Sequence, residues 1–429
     1  MFLTDDEKRM RDGAEGDAVA AAMDLLIRYG AALDADRLCS IRNVAGTMTQ
    51  PSPVKARLVA EGGWDKAFAV INLDSDLDLT IPPMRIPTCQ LQHGFGPDSV
   101  DIVPYPKANV DLQSDGEAFY GAHGVQILAT CTPYQVGNLP MRGEHCAWME
   151  SSAVIYANSV LGARTNCEGI ASTGAASLTG RIPCWGNHLA ENRFGTHLIS
   201  VAGVSVESFQ DWGMLGYFAG SVSGEDRPVI TGSLGQPDLT ELKHFGAAAA
   251  TSGGVELYHI PGITPEAVSV EAAFGPGPSV PDAVVYGPTE RAAVYETLNE
   301  IGSSTDVDFV LLGCPHASLE QIRQAAALLD GKRLSSGTEL WIMAPRALKV
   351  MADRSGYTAV IERAGGRVLA DSCPAMSRAA PAGTRVFATD SAKQAHYLPA
   401  ILGIEAWFGT LEECIAAAVT GRWNGGLHS

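Results

Sequence analysis

Residues 308–329, DFVLLGCPHASLEQIRQAAALL, decide the fold of this chain. The apolar run Phe309 to Leu312 has the length and composition of a buried β-strand, and Ser318 is typical of a residue that caps a helix, here from about Leu319 to Leu329. A strand that passes into a helix is the repeating unit of a parallel sheet. Cys314 is therefore predicted at the carboxyl end of a strand, where ligands bind in open α/β sheets.

The same alternation continues toward the C-terminus and predicts an α/β fold with a parallel, doubly wound sheet. The predicted strands are 340–343, 368–370 and 386–388, and the predicted helices are 345–354, 358–364 and 411–419. Upstream, the patterns predict helices from Thr4 to about Tyr29, over 151–161, over 239–250 and from Thr264, and strands over 70–73 and 255–260. Since 429 residues exceed one ordinary core, we expect three regions, 1–120, 121–295 and 296–429, with a break near 290–305.

Three cysteines stand where a predicted strand runs out into a proline-containing loop. Cys131 follows the run 125–129, Cys314 follows 309–312 and Cys373 follows 368–370. A single free cysteine is usually a small buried hydrophobe. Three thiols at one sheet edge could instead hold an iron–sulfur cluster and leave one iron without a protein ligand, free to bind a substrate hydroxyl as a Lewis acid.

The composition excludes several classes of partner. The formal net charge is −18, and no basic patch stands out, which argues against nucleic acid and anionic membranes. No run of about 18 apolar residues is present, and the acidic N-terminus is unlike a signal peptide. We therefore expect a cytoplasmic protein whose nine cysteines are reduced thiols or metal ligands rather than disulfides.

The polar segment 143–169 supplies candidate catalytic and binding residues. Glu144, His145 and Glu150 are acid–base residue types close to an apolar run, and buried carboxylates need partners. Arg164 suits recognition of a carboxylate, although a structural pair with Glu168 is an equal alternative. Cys414 reads as a core residue, whereas Cys39, Cys89, Cys146, Cys167 and Cys184 stay undecided.

Two further features have competing interpretations. Ser391 and Lys393 follow a strand and suit an anion site at a helix N-terminus, or an ordinary helix cap. His188 is read as a core histidine rather than a ligand. Asp74 and Asp76 could bind a divalent cation, but a solvated turn is favoured. The chain lacks GxGxxG after a strand, a P-loop, GxSxG and HExxH, so nucleotide binding and serine hydrolysis have no support.

Long runs of the chain resemble the large subunit, or catalytic portion, of the aconitase X family. The resemblance extends in order over about 120–400 and is carried by CTPYQVGNLPMRGEHCAWMESSAVIYANSVLGARTNCEG (131–169), RIPCWGNHLAENR (181–193), LKHFGAAAATSGGVELYHIPGITPEA (242–267), DFVLLGCPHASLEQI (308–322) and TDSAKQAHYLP (389–399). It implies a multidomain aconitase-superfamily fold of α/β/α layers and a hydro-lyase that dehydrates a small hydroxy acid.

The resemblance also implies a cofactor and site residues. It implies an iron–sulfur cluster, [4Fe-4S] or [2Fe-2S], on Cys131, Cys314 and Cys373, the three cysteines that the strand-end pattern selects. The candidate catalytic residues are Glu150, Ser152, Glu168 and His145, and the candidate substrate-binding residues are Tyr134, Arg164, Asn166, Ser391 and Lys393.

The family uses a small swivelling domain whose serine resembles the catalytic base, and this chain contains no such segment. A separate small subunit is therefore implied. The chain departs from the family pattern at Arg42, Asn43, Cys89 and Asp390, which bears on the substrate. We favour cis-3-hydroxy-L-proline, with phosphomevalonate, a non-catalytic iron–sulfur regulator and a divalent-cation enzyme as alternatives.

Overall fold

The computed structural model of the chain describes residues 1–47, 49–276, 279–299 and 303–428. The strands are β1 (Leu38–Ser40), β2 (Val44–Thr47), β3 (Thr88–Gln90), β4 (Ala147–Trp148), β5 (Arg181–Pro183), β6 (His197–Val206), β7 (Pro228–Leu234), β8 (Ala283–Tyr286), β9 (Phe309–Leu312), β10 (Glu339–Ala344), β11 (Arg367–Ala370), β12 (Val386–Thr389) and β13 (Glu405–Phe408). The helices are α1 (Asp5–Arg11), α2 (Asp17–Ala32), α3 (Pro53–Leu73), α4 (Lys107–Ala122), α5 (Ser151–Ser159), α6 (Ile170–Thr179), α7 (Phe209–Ser223), α8 (Leu239–Gly253), α9 (Val270–Phe274), α10 (Pro288–Asn299), α11 (Leu319–Leu329), α12 (Arg346–Arg354), α13 (Tyr357–Ala364), α14 (Pro374–Ser377), α15 (Ala392–Leu402) and α16 (Leu411–Thr420).

The C-terminal region is built on a five-stranded sheet in the order β11-β10-β9-β12-β13, with every neighbouring pair parallel. Its central strand, β9, is buried on both faces: Val310 and Leu312 pack in one core with α11 and α16, and Phe309 and Leu311 pack in another. The chain winds outward from β9 to β11 and then returns to β12 on the other side of β9. The sheet is thus doubly wound, as predicted, and its topological switch point lies between β9 and β12.

The described residues also form three smaller sheets. Two are parallel and three-stranded, in the orders β7-β6-β8 and β3-β2-β4, and β1 pairs with β5 in an antiparallel ladder. The mixed α/β architecture with mostly parallel sheets confirms the predicted fold class. The predicted division at residues 120 and 295 stays a prediction, and part of the expected break, residues 300–302, lies outside the described residues.

Several upstream elements differ from those predicted. The first helix is two helices, α1 and α2, because residues 12–16 include two glycines with positive φ. The segment 70–73 is the last turn of α3 rather than a strand. The segments 125–129 and 255–260 each pair with another segment through a single bridge, Gln126 with Cys89 and His259 with Val229, and neither forms a strand. Residues 264–267 form turns, not a helix.

None of the helices in the described ranges combines the length and apolarity that a membrane crossing requires. The longest, α3, contains Gly62 and Gly63 in non-helical conformations, which break it into two segments.

Helices α7 and α8 pack closely because glycines line their contact. A side chain on Gly220 of α7 would overlap the carbonyl oxygen of Ala249 and the hydroxyl of Ser252 on α8. Gly213 of α7 likewise leaves room for the ring of His244. The contact therefore fixes the position of α8, which carries a residue of the candidate site described below.

We expect Gly220→Ala to lower the free energy of unfolding by about 1–3 kcal/mol, because the added methyl group overpacks a buried contact. Gly121→Ala is the matched control, since it lies near the end of α4 with open space around its Cα. Thermal or urea unfolding of the two variants measures the difference. Equal stability of both variants would contradict the close contact.

Candidate active site

The loops that carry the three cysteines meet at the switch point of the five-stranded sheet. Cys314 lies two residues after β9, and Cys373 lies three residues after β11. Cys131 comes from the loop after the bridge between Gln126 and Cys89, so it reaches the same place from the sheet that contains β3. Cys131 is buried, whereas Cys314 and Cys373 are partly exposed.

His316 ties the three cysteine loops together. Its Nδ1 lies 2.9 Å from Thr130 Oγ1 and its Nε2 lies 3.0 Å from the carbonyl oxygen of Ser372. Its backbone N–H donates to Cys131 Sγ at 3.4 Å. Because a carbonyl can only accept, Nε2 carries the proton and Nδ1 accepts from Thr130. Burial lowers the pKa of His316 to about 4, so the ring is neutral at neutral pH.

The three thiols share one electrostatic environment. Burial raises the pKa of Cys131, and Glu150 and Cys314 raise it further. Burial raises the pKa of Cys314 to about 12, although the Lys393 ammonium lowers it and the neighbouring Cys373 raises it. The pKa of Cys373 is also raised by burial. Without a bound cation the thiols are therefore protonated and uncharged.

Glu150 and Lys393 form an ion pair beside the thiols. Lys393 Nζ lies 2.7 Å from Glu150 Oε1, and the same oxygen accepts from Ser152 Oγ at 2.9 Å. Gln92 Nε2 donates to the other carboxylate oxygen at 2.8 Å. Burial alone would raise the pKa of Glu150, but the Lys393 ammonium outweighs it and lowers the pKa to about 2. The carboxylate is therefore ionised at neutral pH.

A second lysine, Lys243 of α8, contacts the loop that carries Cys314. Its ammonium donates to the carbonyl oxygen of His316 at 2.8 Å and to Gln321 Oε1 at 2.8 Å. Burial lowers the pKa of Lys243 to about 8, an effect that the nearby Cys131, Asp390 and Cys314 oppose.

Ser391 caps α15 through Gln394 N at 3.2 Å, and its hydroxyl lies beside Cys314 and lowers the pKa of that thiol.

The loop 92–99 closes another side of the site. Gly94 O accepts from Cys373 N at 3.3 Å, and Gly96 N donates to Ser372 Oγ at 2.9 Å. Tyr134 stacks on Tyr156 with ring centroids 3.7 Å apart. Its buried hydroxyl, close to Cys131 and Glu150, has no hydrogen-bond partner within the described residues. This orphaned hydroxyl can serve a ligand.

Glu168 is a buried carboxyl group with an unusual titration. Burial raises its pKa to about 7, although Ser172, Tyr29 and Asn166 lie near enough to favour the charged form. Neither carboxylate oxygen makes a hydrogen bond of standard geometry in the described part of the chain. A group with a pKa near neutrality can hold or release a proton. Asn166 itself accepts from Asn187 N at 2.7 Å.

His145 and Arg164 belong to a different group of side chains. His145 Nδ1 lies 2.9 Å from His188 Nδ1, and Arg164 donates to the carbonyl oxygen of His188 at 3.1 Å rather than pairing with Glu168. Beside them Cys39 and Cys184 form a disulfide. The expectation of nine reduced or metal-bound cysteines is thus wrong for this pair. Cys414 is a core residue of α16, as predicted, and Asp74 pairs with Arg28 at 3.1 Å.

Four site residues were missed at the sequence level. His316 follows Cys314 in the printed motif CPH, and that adjacency was a usable signal. Lys243 lies in the printed run LKHFG, which gave no sign of its contacts. Tyr29 and Gln92 carry no such signal, because each reaches the site through tertiary packing of a helix or a loop.

Comparisons with known proteins agree over nearly the whole chain. Sequence models for the first, second and third domains of aconitase X match residues 1–191, 195–296 and 307–420. The phosphomevalonate dehydratase large subunit of Methanothermobacter thermautotrophicus is 36% identical over 95% of this chain and 96% of its own length. The cis-3-hydroxy-L-proline dehydratase of Pseudomonas aeruginosa is 38% identical over 71% of this chain and 53% of its own length.

A solved structure has the same fold. The holo-form of Thermococcus kodakaraensis aconitase X superposes with a TM-score of 0.82 and 33% identity, covering 97% of this chain and 100% of that one. The relatives are dehydratases, and the chain is a hydro-lyase of the same class. It belongs to the aconitase X family.

We expect His316→Ala to lower the free energy of unfolding by several kcal/mol, because it removes a buried ring and leaves the Ser372 carbonyl without its partner, each costing about 1–3 kcal/mol. His396→Ala is the control, since His396 is exposed and bonds only Tyr217 in the described residues. Chemical denaturation of both variants tests the expectation. A His316 variant as stable as the His396 variant would show that the ring does not join the loops.

The raised pKa of Glu168 predicts that the free energy of unfolding depends on pH. Its folded pKa of about 7 exceeds its ordinary value of 4.5, so the folded chain holds the proton more tightly. The stabilisation is complete below pH 4.5 and is lost as the pH rises to about 7, with an upper limit on the order of 3 kcal/mol. Glu168→Gln removes this loss. The free energy of unfolding of the variant minus that of the wild type should therefore rise across this window and level off above it. A difference that is independent of pH would contradict the raised pKa.

Proposed function

We propose that this chain is the large subunit of an iron–sulfur dehydratase that removes water from a small hydroxy acid. The observation that carries the proposal is the meeting of Cys131, Cys314 and Cys373 beside the Glu150–Lys393 ion pair at the switch point of the sheet. Three thiols beside an ion pair have no evident role in packing a core. In a metal centre with a substrate site, the thiols would hold the metal and the ion pair would contact the substrate.

The donor set fits an iron–sulfur cluster. Thiolates are its usual protein ligands, and the N–H group of His316 already points at Cys131 Sγ, as hydrogen bonds to cluster sulfurs do. The ammonium groups of Lys243 and Lys393 lie close enough to offset the charge of thiolates. A cluster held by three cysteines supplies an iron without a protein ligand, which polarises a substrate hydroxyl as a Lewis acid.

The residues around the thiols have separate roles in this proposal. Lys393, whose charge Glu150 and Cys314 stabilise, binds the substrate carboxylate. Glu150 and Ser152 hold the ammonium group of Lys393 in position through Glu150 Oε1 and Ser152 Oγ. Glu168 holds a proton near neutral pH, and the unpartnered hydroxyl of Tyr134 orients the substrate. Ser391 fixes the loop beside Cys314, and Asn166 fixes the loop that follows Trp185.

The candidate catalytic residue His145 and the candidate substrate-binding residue Arg164 also take positioning roles. His145 and Arg164 contact His188, so they support the segment that leads to Glu150 rather than contact the substrate. The direct roles in this proposal are then left to the residues beside the three cysteines and to Glu168.

Cis-3-hydroxy-L-proline is our preferred substrate. Glu150 neutralises the charge of Lys393, and the ammonium group of Lys243 already donates to the carbonyl oxygen of His316 and to Gln321. A phosphoryl group needs several available cations. A substrate that carries one carboxylate and one ring ammonium group instead matches a site in which a lysine lies beside a carboxylate. Phosphomevalonate is the second candidate, because two relatives named phosphomevalonate dehydratase large subunit match this chain over 96% and 99% of their length.

A separate small subunit is part of the proposal. The relatives called large subunits have nearly the length of this chain, whereas the chain covers 69% of the cis-3-hydroxy-L-proline dehydratase of Hypocrea jecorina. The additional length of that dehydratase leaves room for a fused domain. The small subunit would supply the group that removes the substrate proton.

The experiment uses the complex isolated anaerobically by tagging this chain in its own host. Iron, acid-labile sulfide and the visible spectrum are measured first, and the dehydration of both substrates is assayed next. Iron and sulfide with turnover of cis-3-hydroxy-L-proline support the proposal in full, and turnover of phosphomevalonate alone overturns the preferred substrate. A loaded complex that dehydrates neither favours a regulator, and a colourless complex after reconstitution overturns the cluster.

Replacing one thiol tests the site directly. Cys314→Ala should abolish turnover and remove the visible absorption, because the cluster loses one of three protein ligands, while far-UV circular dichroism stays unchanged. Cys414→Ala is the matched control, since Cys414 is buried in α16 away from the site. A coloured, active Cys314 variant would exclude Cys314 from the centre.

A further inference from the structure

A second group of metal-ligand side chains lies apart from the candidate active site. Cys39 Sγ and one ring nitrogen each of His145 and His188 all lie within 4.8 Å of one another. Cys184 is bonded to Cys39, so its sulfur belongs to the same group. Two sulfurs and two imidazoles are the donor set of a structural zinc site.

We propose that the chain with Cys39 and Cys184 reduced binds one zinc ion through these two thiolates and one ring nitrogen each of His145 and His188. Zinc takes four such ligands in a tetrahedral arrangement, with sulfur about 2.3 Å and nitrogen about 2.0 Å from the metal. Three of the four donor atoms already lie within 4.8 Å of one another, and the fourth, Cys184 Sγ, is bonded to Cys39 Sγ in the oxidised pair.

A buried ring nitrogen of His188 is an independent observation that points to a ligand at this group. The side chain is 2% exposed, and its Nε2 has no hydrogen-bond partner among the described residues. Buried polar atoms without a partner are rare, because each carries a desolvation penalty. Its Nδ1 lies 2.9 Å from His145 Nδ1, so the two rings already share one small space.

The backbone presents the four ligands from rigid elements. Cys39 lies in β1, and Cys184 follows β5, its antiparallel partner. His188 is four residues after Cys184, a spacing found between zinc ligands in one loop. His145 forms a bridge with Arg164 and stands just before β4. A zinc ion would therefore join the β1–β5 ladder to the segment that leads to Glu150.

The surrounding charge favours two thiolates over one. Arg37, Arg164 and Arg193 all lie near His145, and Arg193 also forms an ion pair with Glu266. A divalent cation with two thiolates and two neutral imidazoles has no net charge, so it can stand among these arginines. A site with one thiolate would keep a positive charge there, at a Coulombic cost.

The chemistry is a two-electron exchange followed by metal binding. A dithiol reductant gives two electrons and two protons to the Cys39–Cys184 bond and becomes a disulfide itself. The two thiols then lose two protons as zinc binds, forming two zinc–sulfur bonds. Thiol–disulfide exchange with an external disulfide reverses the reaction: the two thiolates form the Cys39–Cys184 bond, the external disulfide takes up two electrons and two protons to become two thiols, and the zinc ion is released. The site is thus loaded in a reducing compartment and empty in an oxidising one.

The test uses the full chain, reduced anaerobically with a phosphine, exposed to zinc and freed of loosely bound metal. Zinc and iron are counted by mass spectrometry, and the zinc coordination shell is measured by X-ray absorption. The expected result is one zinc ion per chain with two sulfur and two nitrogen neighbours. No retained zinc would overturn the proposal, and so would a shell of three sulfurs, which would place the zinc at the active-site cysteines.

Variants separate this site from the iron site. Cys39→Ser and His188→Gln should lose the zinc and retain the iron, whereas Cys314→Ala should lose the iron and retain the zinc. Cys167→Ser is the matched control in the same part of the chain, because Cys167 is an exposed free cysteine, and it should retain both metals. Zinc that persists without Cys39 and disappears without Cys314 would overturn the proposal. If a variant fails to fold, the coordination shell of the unmodified chain decides.

Discussion

The candidate site depends on the burial of one neutral imidazole. His316 accepts from Thr130 on the Cys131 loop and donates to the Ser372 carbonyl on the Cys373 loop, and it belongs to the Cys314 loop itself. In the neutral ring, Nδ1 accepts from the Thr130 hydroxyl while Nε2–H donates to the Ser372 carbonyl, so one uncharged side chain bonds both loops. Burial ensures this by lowering the pKa of His316 to about 4. Three cysteine loops that are distant in the sequence are therefore joined by the contacts of one buried, uncharged side chain.

The topology of the five-stranded sheet explains why these residues can meet at all. Strands β9 and β12 are neighbours although more than seventy residues separate them, and their carboxyl ends open on the same crevice. Cys314 follows the first strand, and Ser391 and Lys393 follow the second. Glu150 reaches the crevice from the start of α5, where it pairs with Lys393. Residues from three distant segments thus form one small polar site at a switch point.

The C-terminal region could be predicted from the sequence because local signals agree there. The run 309–312 is β9 and Ser318 caps α11, since burial on both faces and a capping side chain are local properties. The strand predicted over 125–129 was wrong, because this segment makes a single bridge to Cys89 instead of a ladder. The strand-end argument nevertheless selected Cys131 with the other two cysteines. Lys243 could not be found, because its role depends on how α7 and α8 pack.

The charge balance of the site explains how it can form before any metal is bound. High pKa values keep the three thiols protonated, so no bare thiolate is buried, and Glu150 with Lys393 forms a pair with no net charge. An isolated buried charge would be costly, whereas neutral thiols and a hydrogen-bonded ion pair are tolerated. Loss of the thiol protons would add negative charge beside Lys393 and Lys243, the two ammonium groups that are already in place. The same side chains therefore tolerate three neutral thiols and are electrostatically prepared for thiolate ligands.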